Sequence, residues 1–107
     1  NRVLLYQREE RLLHGLWCFP GFDHETDPAK VEAQLRKLGI HTKYTESLGE
    51  AKHVFTHLIW EMTLLSFEAA DASCPEGWQW ADKETLGALP LPTAMKAARA
   101  KANELLF

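Results

Sequence analysis

The chain is poor in the features that mark specialised protein classes. Only two of its 107 residues are cysteines, too few for a disulfide scaffold or, unaided, for a zinc or iron–sulfur site. Six glycines and five prolines exclude collagen-like and low-complexity chains. No apolar run approaches the ~20 residues of a membrane span. Neither sign of charge dominates: twelve Lys and Arg stand against fifteen Asp and Glu, a net charge of −3. That balance argues against gripping nucleic acid through charge alone, which requires a basic patch. Cys18 and Cys74 read as reduced thiols of an intracellular protein.

What is present is the composition of a globular domain, 46% hydrophobic and 25% charged, and the length suits a single domain over residues 1–107. Val3-Leu4-Leu5-Tyr6 opens the chain as a buried strand, without a leader or an initiator Met, as expected of a fragment that continues an N-terminal neighbour. The aromatic, Gly- and Pro-rich stretch from Leu12 to Phe22 reads as a strand between tight turns. Asp27-Pro28 opens a helix, Val31, Leu35 and Leu38 share one face of it, and Gly39 stops it. Ile40–Glu46 and Ala51–Phe67 read as strands separated by a break at residues 47–50. In the second, Val54, Leu58, Trp60, Met62 and Leu64 alternate inward, with His53, His57 and Glu61 outward. Phe55 and Thr56 violate the alternation, which suggests a turn or strand end there. Trp78–Ala81 is a short strand, Pro90 and Pro92 bracket a rigid connector, and Thr93–Leu106 is helical. The order predicts an α+β domain with a mixed, largely antiparallel sheet and two helices.

The strand–loop–helix ending at Gly39-Ile40 resembles the helix of Nudix hydrolases, which hold divalent metals on glutamates spaced along it. Setting Gly39-Ile40 on the family's closing pair places Arg36 and Lys37 where the paired metal-binding glutamates belong, and Glu32 and Ala33 on the expected Arg-Glu pair. Two cations repel a metal. Hydrolysis of oxidised nucleoside triphosphates is therefore the alternative rather than the leading reading, and no metal ligands are assigned. Of the five histidines, only His53 and His57 are close in sequence, and a straight strand would hold them ~13 Å apart.

Gln7-Arg8, Leu12-Leu13, Gly15-Leu16-Trp17 and Phe19-Pro20, in this order, resemble the opening of the C-terminal domain of MutY-type adenine DNA glycosylases. His53-x-Phe55-Thr56-His57 is similar to that family's H-x-F-[ST]-H segment. Trp80 and Leu89-Pro90-Leu91-Pro92 are similar to its closing L-P-x-P and final helix. The three landmarks span nearly the whole chain. Arg11 departs from a usual glycine, and Cys18 and Gly21 stand where Glu and a bulkier residue are common. The resemblance implies a Nudix-like α/β/α sandwich that has given up hydrolysis for recognition. It further implies a separate N-terminal catalytic domain of the same chain, which carries an iron–sulfur cluster and cleaves adenine from DNA. The present residues would then be non-catalytic and would read 8-oxoguanine opposite adenine in double-stranded DNA, in the bacterial cytoplasm at the nucleoid.

Chemistry supports that role for Phe55, Thr56 and His57. Oxidation of guanine turns N7 from acceptor to donor and adds a carbonyl at C8. A threonine hydroxyl accepts from N7–H, and a nearby backbone N–H meets the carbonyl. Phe55 is placed to wedge beside a base, and His57 to approach a phosphate or hold the loop. His53 belongs to the same motif, and Arg8 and Lys52 are further candidates for backbone contacts. Trp17, Trp60 and Trp80 are assigned to the core.

Overall fold

A computed structural model describes residues 1–107. The chain divides into two compact units, residues 1–21 with 76–107, and residues 22–75.

The first unit is built on a three-stranded antiparallel sheet in the order β2-β1-β5 (β1 Val3–Gln7, β2 Trp17–Cys18, β5 Trp78–Ala81). The apolar run of β1 suits the central position, where a strand has neighbours on both edges. Leu5 is fully buried and forms a core with Ala81, Leu86 and Ala102, joined by Val3, Trp17, Phe19, Leu89, Leu91 and Phe107. The strand expected from Leu12 to Phe22 contracts to two residues, because residues 8–16 close a turn first. The Arg8 N–H donates to the Leu16 carbonyl at 2.9 Å, and the Gly15 N–H donates to the Arg8 carbonyl at 2.9 Å. Gly15 makes the closure possible with φ of +84°.

Three helices are present rather than the two expected. α2 (Lys83–Ala88) was hidden by its six-residue length, yet its signal stands in the sequence as an N-cap: the Asp82 carboxylate accepts from the Thr85 N–H at 2.8 Å. α3 (Lys96–Leu106) is the expected last helix, entered through a 3₁₀ turn at Thr93–Met95.

In the second unit α1 (Pro28–Lys37) starts and stops where the sequence signals it. Asp27 accepts from the Ala29 N–H at 3.0 Å. Gly39, with φ of +81°, turns the chain so that the Ile40 N–H reaches the Leu35 carbonyl at 3.0 Å. Leu35 and Ile40 are buried.

β3 (Thr42–Val54) and β4 (Ile59–Ala69) form a long antiparallel hairpin. Two sequence expectations are corrected here. The break at residues 47–50 lies within one continuous strand: register shifts between Tyr44 and Glu46 and between Ser47 and Gly49 leave Thr45 and Leu48 unmatched on β4, which are β-bulges. The single strand over Ala51–Phe67 is instead folded in two at residues 55–58. All three strand pairings in the chain are antiparallel. No helix is long and apolar enough to cross a membrane.

Candidate functional site

Phe55, Thr56, His57 and Leu58 connect β3 to β4. The Phe55 N–H donates to the Leu58 carbonyl at 2.7 Å, so the chain reverses over Thr56 and His57. Both are exposed at the apex. The lapse in alternation at Phe55-Thr56 thus marks the turn. A straight strand would have put His53 and His57 on one face. Instead His53 pairs across the hairpin with Trp60, Val54 with Ile59, and Lys52 with Glu61.

This register gathers three rings on one face. The His53 and Phe55 centroids are 4.5 Å apart at 75°, and those of Phe55 and Trp60 are 5.1 Å apart at 72°. Both are edge-to-face contacts, the favourable arrangement for ring quadrupoles. Phe55 is half-buried between its two neighbours, so its ring holds the turn instead of projecting as a free wedge. His53 is likewise half-buried, against its expected outward position, and Val54 is 62% exposed, against its expected inward one. The inversion arises because the turn at residues 55–58 interrupts the run that the sequence pattern treats as continuous, and the pairing across it sets odd positions of β3 on the same face as even positions of β4. Trp60, assigned to the core from sequence, is the third wall of this ring cluster. Its role was readable only once the turn at Thr56-His57 fixed it opposite His53.

Lys52 is exposed two rungs below Val54 and Ile59, beyond the His53–Trp60 pair. The hairpin therefore brings together Lys52, His53, Phe55, Thr56 and His57. It presents a hydroxyl, an imidazole and free backbone at its tip, over a rigid aromatic base, with a cation beside it.

Arg8 belongs to the first unit, where its side chain is only 12% exposed. Its guanidinium donates to the Leu12 carbonyl at 3.0 Å and to the Tyr6 hydroxyl at 3.4 Å, and pairs with Glu10 at 3.4 Å. These contacts give Arg8 the task of tying residues 8–16 into their turn. Burial drives the Tyr6 phenol up to about 12, against the opposing pull of Arg8. Burial also raises the Cys18 thiol. At Glu10 burial acts upward too, but hydrogen bonds from its own and the Glu9 N–H, with the charge of Arg8, leave the carboxyl below its usual value.

On α1, Arg36 and Lys37 occupy the last turn and are exposed. No three His, Cys, Asp or Glu side chains converge on a point where a metal ion would sit.

The chain is thus an antiparallel α+β protein whose capped helix ends in glycine and carries cations, with no carboxylate cluster, on its last turn. Residues 1–101 match the NUDIX domain family, and the chain belongs to it. Among solved structures it is similar to the C-terminal domain of mouse MUTYH, determined in complex with human PCNA. The TM-score is 0.61 at 23% identity, covering 99% of this chain and 79% of that one.

Proposed function

We propose that this NUDIX domain is the lesion-reading module of a MutY-type adenine DNA glycosylase, and that the turn at residues 55–58 contacts 8-oxoguanine opposite a mispaired adenine. The observation that carries the reading is the hairpin apex. The one segment that resembles the H-x-F-[ST]-H motif stands exposed as a turn, on a base of packed rings. The likeness of the fold to the MUTYH C-terminal domain supports it. Thr56 would accept from N7–H of the oxidised base while a backbone N–H of the turn meets the C8 carbonyl. His57 would approach a phosphate, and Phe55 and His53 would position the turn. Arg8 is left out of the contact set because its guanidinium is engaged within the first unit.

In this reading the chemistry lies elsewhere. Adenine excision, and an iron–sulfur cluster needing four cysteines where this chain has two, would belong to an N-terminal catalytic domain of the same protein, acting at the bacterial nucleoid. The alternative of nucleotide hydrolysis requires carboxylates along α1, where Glu32 is accompanied by Lys30, Arg36 and Lys37.

The test is a titration of isotopically labelled protein with a duplex carrying 8-oxoguanine opposite adenine, with guanine opposite adenine as control. Amide shifts centred on Phe55, Thr56 and His57 and larger for the oxidised duplex are expected. Thr56→Ala should cost about 1–3 kcal/mol of discrimination between the two duplexes. Equal and diffuse shifts for both duplexes would refute the reading.

A further inference from the structure

The two most exposed large apolar side chains of the protein lie side by side just below the turn, Val54 at 62% and Ile59 at 52%. Exposed apolar groups scattered singly are ordinary, whereas a contiguous patch marks a contact surface. Val54 and Ile59 are cross-strand partners. The hydrogen bond between Phe55 and Leu58 makes the next rung a non-hydrogen-bonded pair, the closer kind, so the two side chains form one apolar plate. Alternation sets this plate on the face opposite His53, Phe55 and Trp60.

Two residues further along β3 on the same face, ~6–7 Å away, is exposed Lys52. Glu61 stands opposite it on β4, and no ion pair joins them. From the apex downward the face therefore offers a polar reader, an apolar plate and a cation. A nucleotide strand offers the complementary sequence: base edge, deoxyribose C–H surface, phosphate. The carboxylate on β4 turns a phosphate away from that side and toward the β3 edge.

We infer that this face of the hairpin seats the sugar–phosphate backbone of the strand whose base the turn reads, with Val54 and Ile59 against deoxyribose and Lys52 on the adjoining phosphate. The inference rests on the reading of the turn proposed above, but it makes separate demands. It assigns sequence-independent affinity to Val54, Ile59 and Lys52, and lesion discrimination to Thr56.

The experiment measures binding of the 107-residue chain to both duplexes by fluorescence anisotropy across a salt series. The Val54→Ser/Ile59→Ser double variant should bind both duplexes about tenfold more weakly, a loss of ~1.4 kcal/mol, with their ratio unchanged. Lys52→Gln should lower the salt slope by about one. Thr56→Ala should remove the ratio and leave the guanine duplex nearly untouched. Val54→Thr keeps the side-chain shape, and a smaller loss in the same direction would confirm that apolar contact is at work; thermal unfolding checks that each variant is folded. If the double variant binds both duplexes like the parent while Thr56→Ala removes the ratio, the inference falls and the reading of the turn stands. If Thr56→Ala leaves the ratio intact, the reading fails and the inference fails with it. If the double variant converts a dimer to a monomer in sedimentation, the plate is a contact between copies of this chain and the inference is overturned.

Discussion

Replacing Phe55 with alanine should loosen the apex of the hairpin well before it unfolds the protein. The ring makes two edge-to-face contacts, 4.5 Å from His53 and 5.1 Å from Trp60 between centroids. Each such contact contributes about 0.5–1.5 kcal/mol beyond burial. Truncating a fully buried Phe costs ~3–5 kcal/mol, and a half-buried one correspondingly less. Taking the low end of both terms, the local cost is about 2–3 kcal/mol. Hydrogen exchange at the Phe55 amide, which closes the turn onto Leu58, reads this cost directly: protection should fall by roughly 30- to 150-fold. Phe55→Leu keeps apolar volume but removes the ring, and should lose about half as much on the logarithmic scale. Amides of β1 and β5 lie in the other unit and should keep their protection. Unchanged exchange at Phe55 in the alanine variant would refute the view that the rings hold the turn. A uniform loss across both units would refute the view that they do so locally.

Four further outcomes follow from the geometry. Gly49 has φ of +92° at a bulge in β3 with nothing within 4 Å of a would-be side chain, so Gly49→Ala should cost about 1–2 kcal/mol in denaturant unfolding through backbone strain alone. Gly21→Ala, equally uncrowded and without a positive φ, should be close to neutral. Leu5→Ala empties the centre of a core in which Leu5 has no exposure and should destabilise by about 2–5 kcal/mol, lowering the urea midpoint without changing the slope. Burial raises the Tyr6 phenol from 10.0 to about 12 in the folded chain. Above the unfolded value the unfolded chain binds fewer protons, so Tyr6's contribution to stability is intact below pH 10 and is lost as pH rises toward 12. Near-ultraviolet titration should show one phenol ionising late, and Tyr6→Phe should flatten the alkaline fall in Tm.

Much of the fold was legible because local chemistry and tertiary structure agree. Asp27-Pro28 and Gly39 bound α1 by backbone rules that hold in any context. Val3–Tyr6 and Trp78–Ala81 read as strands because apolar and aromatic runs of that length have few other uses. The hairpin was legible only in part. Nothing in Ala51–Phe67 carries the Asn-Gly or Asp-Gly signature of a tight turn, and the run stays β-prone throughout. The broken alternation at Phe55-Thr56 was the sole local trace of the reversal, and the outward and inward sets inverted around it. Arg8 read as a surface cation because sequence alone does not show that Tyr6, Glu10 and the Leu12 carbonyl converge on its guanidinium. At the apex, the residues were legible as a group from their motif, whereas Trp60 and the Val54–Ile59 plate required the cross-strand register.

The two bulges in β3 have a consequence for the apex. β4 runs without interruption from Ile59 to Ala69 while β3 takes two extra residues, Thr45 and Leu48, to cover the same pairs. β4 therefore acts as the ruler that sets how far the turn extends, and β3 carries slack. Removing Thr45 or Leu48 would shorten the chain without shortening the hairpin, since the remaining residues can close the ladder and Val54 still meets Ile59. Removing one residue from β4 has no such reserve and would shift the β3 partners of every residue beyond the deletion. Changes in length on the two strands are thus unequal: β3 can lose an unpaired residue and still close the ladder, whereas β4 cannot.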